Sequence, residues 1–187
     1  MAQGSWATVV RDADELLKFS DLGGTRVGGG TTPVEVNFLR AYALEQLGRT
    51  EEAIDAYLSI PDGRNEYYGT RASQRLLALA VNDKTSVLVR NRLNSYLSAS
   101  KDADAAGQYE QSRAAAQAAW RLTDDAKLRA ELLKRLQAAY SALPAYRLPQ
   151  FNRISLLTQQ PPTGDHELLA DNLLLLGLYD EAVPELL

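Results

Sequence analysis

The chain has 187 residues, 45% of them hydrophobic and 24% charged, with a formal net charge of -4. That balance is ordinary for a soluble globular chain, does not suggest disorder, and makes nucleic acid a poor partner, since phosphate binding needs a concentrated basic surface. Cysteine is absent and His166 is the single histidine, which excludes disulfides and cysteine-ligated metal, leaves a zinc site or a catalytic triad little support, and implies no cofactor.

No apolar run approaches the ~20 residues that cross a bilayer, so no membrane span is expected. The opening Met1-Ala2-Gln3-Gly4-Ser5-Trp6 lacks the basic and apolar blocks of a signal peptide. The chain is therefore expected to be cytosolic or to have lost its export signal. Helical spacing recurs almost throughout and no stretch alternates as a strand does, so the expected class is all-α. A first helix is predicted from Trp6 to Phe19, with Val9, Ala13, Leu16 and Leu17 on one face.

The glycine-rich stretch 23–30 lacks the lysine and closing Ser or Thr of a phosphate-binding loop, and it follows a helix rather than a strand. Its five glycines read instead as a flexible connector. Thr32 and Pro33 then suit the cap and first turn of the next helix. From Val34 to Ile60 the spacing writes a helix hairpin. Ala41 and Ala53 permit close approach, Gly48 can take the left-handed conformation that ends the first helix, and Tyr57 fills the groove. The pattern Ala41-Tyr42-Ala43-Leu44, Leu47-Gly48-Arg49, Glu51-Glu52-Ala53-Ile54 and Tyr57 resembles a tetratricopeptide repeat. It departs from one at Asn37, where a bulky aromatic is usual, and at Pro61, which shortens the second helix.

After Pro61-Asp62-Gly63, a helix capped by Asn65 carries Tyr67, Tyr68, Ala72, Leu76 and Leu79 and is predicted to end near Val81-Asn82-Asp83. Another is predicted from Thr85 to Leu97. The alanine-rich segment 102–120 follows, then a helix opened by Thr123-Asp124-Asp125, with a favourable Glu131–Arg135 pair and an end near Leu143-Pro144. Prolines bracket a short helix within 145–160. The last segment, with Ala170, Leu173, Gly177, Glu181 and Ala182, repeats the spacing of Leu44, Gly48, Glu52 and Ala53 and argues for a repeat architecture. The final residues lack a polar capping face, which implies a fragment of a longer protein, with 1–187 forming one superhelical domain.

The segment Tyr67-Tyr68-Gly69-Thr70-Arg71-Ala72-Ser73-Gln74-Arg75-Leu76 resembles the Tyr-Tyr-Gly stretch in the superhelical part of bacterial soluble lytic transglycosylases. The resemblance extends to Phe38 to Tyr57 and Leu169 to Leu186, together under half of the chain. It implies an α-superhelix of antiparallel, irregular helix pairs, a location in the periplasm or cell envelope, and a covalently linked C-terminal catalytic domain that cleaves peptidoglycan glycan strands. That domain carries a Glu-Ser pair and a Gly-Leu-Met-Gln segment. Here no glutamate precedes serine and the sole methionine is Met1, so no catalytic residue is assigned and the expected role is a non-catalytic scaffold.

Tyr67, Tyr68, Arg71 and Arg75 are the binding candidates, since tyrosine faces stack on sugars and arginine pairs with carboxylates through two donors. Helix packing is the favoured alternative, because aromatic residues at helical spacing usually face a core. His166, at the start of a helix, and Trp6 and Trp120 are expected to be structural. The rival to the scaffold is a tetratricopeptide-like adaptor that binds a protein partner and has no connection to peptidoglycan. The turns Gly48/Glu52/Ala53 and Gly177/Glu181/Ala182 suit both.

Overall fold

The computed structural model describes residues 5–24, 30–62 and 66–142. Over these residues the chain is all-α, with seven helices: α1 (Trp6–Leu16), α2 (Pro33–Gln46), α3 (Thr50–Leu58), α4 (Tyr67–Val81), α5 (Ser86–Ala105), α6 (Tyr109–Arg121) and α7 (Ala126–Ala142). An isolated parallel bridge joins Gly23 to Thr31 and brings together the described ends of the glycine-rich connector. The chain divides into two compact units. The first holds α1 to α4, the beginning of α5, and the segment Arg121–Asp124; the second holds the rest of α5, α6 up to Trp120, and α7.

In the first unit, helix ends follow local chemistry. Thr32 is extended, its hydroxyl accepts the Glu35 N–H at 3.2 Å, and Pro33 occupies the first turn of α2. Such a cap contributes about 1 kcal/mol. At the other end Gly48 has φ +74°, the Arg49 N–H donates to the Leu44 carbonyl at 3.0 Å, and the Gly48 N–H donates to the Glu45 carbonyl at 3.0 Å. This paired closure needs one left-handed residue, which glycine supplies without a β-carbon penalty. The chain then turns directly into α3, which packs on α2. Ala41 and Ala53 are fully buried, and so is Tyr57. Helix α1 packs on α2, where Arg40 Nε donates to Asp14 Oδ1 at 2.5 Å, and α4 packs on α2 and α3. Val36, Leu44, Ile54, Ile60, Leu76, Leu79, Val89 and Leu122 are buried as well.

Helix α1 stops at Leu16 and not at Phe19. The Lys18 and Phe19 N–H groups bond to the Glu15 and Leu16 carbonyls in tight turns, and Phe19 is largely exposed, so no packing prolongs the helix. In the second unit α5 runs to Ala105, well past Leu97, and the alanine-rich segment is cut in two. The cut is Gly107, at φ +69°: the Gln108 N–H donates to the Ala103 carbonyl at 2.8 Å and the Gly107 N–H to the Asp104 carbonyl at 3.0 Å. The closure is the one seen at Gly48, and it ends α5 despite the high helix propensity of the flanking alanines.

Ser100 on α5 and Ser112 on α6 are both fully buried with their hydroxyls 3.3 Å apart, alongside buried Ala103, Ala115, Ala116 and Ala119. Small side chains allow that approach, and the paired hydroxyls satisfy each other. Helix α7 is opened by Asp125, whose Oδ1 accepts the Leu128 N–H at 2.7 Å, and it buries Leu132, Leu136 and Ala139. The expected Glu131–Arg135 pair does not form: Glu131 is exposed, whereas Arg135 is half-buried with Nη1 out of solvent and without a hydrogen-bond partner. The predicted helix within 145–160 and the predicted hairpin around Gly177 and Ala182 lie outside the described residues, as does His166.

Candidate functional site

The four binding candidates lie on α4, and its helical repeat separates them into two faces. Tyr68, Ala72 and Arg75 recur at i, i+4 and i+7 and face α2 and α3; Tyr67 and Arg71 sit one above the other on the outer side. On α2 the matching series is Phe38, Tyr42 and Glu45, again at i, i+4 and i+7.

The Tyr68 ring lies 5.5 Å from Phe38, and Phe38 lies 5.8 Å from Tyr57. Tilted aromatic contacts of this kind add roughly 0.5–1.5 kcal/mol each beyond their buried area. Burial, then a hydrogen bond to Glu35, push the Tyr68 hydroxyl up to about 12. The next residue, Gly69, lets the two backbones meet. A β-carbon there would overlap the Pro61 carbonyl oxygen and lie 2.8 Å from the Cα of Asp62.

Arg75 closes the far end of this face. Its Nε donates to Glu45 Oε2 at 3.0 Å and its Nη2 donates to Glu45 Oε1, while the Tyr57 hydroxyl donates to Glu45 Oε2 at 2.8 Å. The Glu45 side chain is only 9% exposed and both its oxygens are occupied. The hydrogen bond to Glu45 holds the Arg75 guanidinium above its ordinary value in spite of burial. Burial, then the Glu45 contact, raise the Tyr57 hydroxyl well above the phenol range. The Arg75 guanidinium also stands 5.5 Å over the Tyr42 ring, which lies nearly perpendicular to the Trp6 ring with ring centres 5.7 Å apart. Aromatic and charged groups from α1 to α4 thus form one connected stack.

Tyr67 and Arg71 are different. Tyr67 is 67% exposed and held edge-on to Tyr68 with ring centres 5.1 Å apart. Arg71 is exposed and donates to Gln74 Oε1 at 3.1 Å. The structure therefore brings Tyr68 and Arg75 into the helix junction and leaves Tyr67 and Arg71 on the surface. In the second unit Trp120 is half-buried with the Arg129 guanidinium 5.3 Å from its ring centre.

Glu45, Phe38 and Arg121 stand outside the candidates that the sequence marks. Glu45 and Arg75 are separated by 30 positions and Arg121 reaches its partners across about 60, so no local pattern marks them. Phe38 did carry a signal, its i, i+4 spacing to Tyr42. Among the described residues no group of three or more His, Asp or Glu side chains is placed to hold a metal ion. Among them, too, no helix is long and apolar enough to cross a membrane. Comparison of the chain with protein-family models, with curated proteins and with solved structures finds no match.

Proposed function

We propose that this chain is a non-catalytic helical scaffold of a lytic transglycosylase-like cell-wall protein, built as an α-superhelix of irregular, tetratricopeptide-like helix pairs. In that role it acts in the periplasm or cell envelope and positions a linked catalytic domain near glycan strands. The observation that carries this reading is what the Tyr67-Tyr68-Gly69 segment does: Tyr68 stacks on Phe38 and Gly69 meets the Pro61 backbone, locking α4 onto the preceding helices. A signature that works by packing belongs to a scaffold rather than to a centre of chemistry. The strongly withdrawn carboxylate of Glu45 supports the same view, since a general acid must reach substrate and both of its oxygens are bound by Arg75 and Tyr57.

One observation favours the adaptor reading, in which the chain binds a peptide or protein: Tyr67 and Arg71 point away from the junction, as a contact pair would. The experiment that separates them is to read the coding sequence past Leu187 and to spin the purified chain with peptidoglycan sacculi. The expected outcome is a continuing open frame that carries a Glu-Ser pair, and no release of anhydro-muropeptides by this chain. Release of anhydro-muropeptides would refute the non-catalytic role. A stop codon or further helical repeats, with no pelleting on sacculi, would refute the cell-wall scaffold and leave the adaptor.

A further inference from the structure

A helix leaves its last carbonyls without intrahelical partners, and something must satisfy them. At α2 and α5 a left-handed glycine does this. Helix α3 has no such residue: its C-cap, Ser59, stays right-handed at φ -73°, and Pro61 has no N–H to offer. Ser59 serves the Asp55 carbonyl with its N–H at 3.0 Å and the Ala56 carbonyl with its hydroxyl at 2.8 Å, and the Ile60 N–H reaches the Tyr57 carbonyl only at 3.3 Å. The remaining donors come from Arg121, the last residue of α6 and part of the first unit, which is 8% exposed. Its Nη1 donates to the Leu58 carbonyl at 3.1 Å and the Ile60 carbonyl at 2.9 Å, and its Nη2 donates to the Tyr57 carbonyl at 3.1 Å. Its Nε donates to Ser73 Oγ on α4 at 2.8 Å, and that hydroxyl donates to Asp62 Oδ2 at 2.7 Å. Asp62 Oδ2 also lies 3.3 Å from Arg121 Nε.

The arrangement suits guanidinium and no other side chain. Its planar fork reaches three carbonyls and a hydroxyl in different directions, whereas an ammonium presents its donors from one point. The positive charge also faces the negative end of the α3 dipole. Burial lowers the Arg121 pKa and Asp62 opposes that shift. We propose that Arg121 is a clasp that holds the α3–α4 joint closed, substituting for a helix-ending glycine and tying the end of α3 to the first turns of α4 through Ser73 and Asp62. The clasp does not depend on the cell-wall reading. Withdrawing it opens the joint locally, while α1 and α2, which make no hydrogen bond or ion pair with Arg121, Ser73 or Asp62, keep their protection.

Hydrogen exchange with mass spectrometry on the full chain tests this, using Arg121→Lys and Ser73→Ala. In R121K, peptides covering Ser59–Ile60 and Tyr67–Ala72 are expected to exchange about tenfold to a hundredfold faster, the scale set by leaving buried carbonyls unsatisfied, with α1 and α2 unchanged. S73A is expected to give a smaller increase in the same peptides. Unchanged exchange there overturns the clasp, and so does equal acceleration across α1 to α4, which would make Arg121 a general contributor to stability. If R121K does not fold, S73A decides alone: acceleration confined to those peptides supports the clasp, and none, or a uniform rise, overturns it.

Discussion

Replacing Gly69 with alanine sets two effects of known size against each other. Gly69 lies inside α4, where alanine favours helix over glycine by about 1 kcal/mol. The added methyl, however, would overlap the Pro61 carbonyl oxygen and sit 2.8 Å from Asp62 Cα and 2.9 Å from the Pro61 carbonyl carbon. All three neighbours are backbone, so no side chain can swing aside. Asp62 is further held by Ser73, and proline stiffens the chain beside it. Overpacking costs about 1–3 kcal/mol, and a rigid backbone neighbour places this site at the upper end. The net expectation for Gly69→Ala is a loss of about 2 kcal/mol, which lowers the melting temperature of a unit this size by roughly 10 °C. Thermal unfolding followed by circular dichroism at the helix band reads the effect directly, with urea titration as an independent measure. A melting temperature equal to or above that of the parent chain would mean that helix propensity outweighs the contact, and the packing account of the Tyr-Tyr-Gly segment would fall.

Tyr57→Phe removes the hydroxyl that donates to Glu45 while keeping the ring, and should cost about 2 kcal/mol, as expected for a hydrogen bond to a charged acceptor. A double-mutant cycle with Glu45→Gln should return a favourable coupling; additive losses would show that the two groups do not interact. Tyr68, with its hydroxyl pushed up to about 12, should ionise later than an exposed tyrosine, and Tyr68→Phe should remove one late step from the phenolate absorbance titration. Because the folded value lies above the unfolded one of roughly 10, this contribution to stability is complete below pH ~10 and is lost as the pH rises toward 12. Denaturant titrations at pH 9 and 11 should show that loss in the parent chain and a smaller one in Tyr68→Phe.

Helix class and several helix ends were legible because their causes are local. Thr32-Pro33 and Leu47-Gly48-Arg49 act within five residues of the groups they satisfy, and the cap and left-handed glycine observed there need nothing from elsewhere. The same chemistry at Gly107 is not legible in the sequence, because eight alanines around it carry a propensity signal that masks one left-handed position. Of the α4 quartet, sequence supplied the residue types and a common helix; it could not say which members turn inward. That division followed from where α2 offers Phe38 and Glu45, which place Tyr68 and Arg75 in the junction and leave Tyr67 and Arg71 outside.

By itself the sequence determined the all-helical class of the described residues and the hairpin turn at Gly48, because spacing, caps and glycine conformations are properties of a few consecutive residues. Tertiary structure alone decided that Glu45 belongs to Arg75 and Tyr57, that Gly69 is needed for its missing β-carbon, and that α3 is capped by Arg121. Each of these joins groups far apart along the chain, and their meeting depends on how whole helices lie against each other. A guanidinium at position 121 carries no local mark of the three carbonyls it will satisfy until the helices have packed.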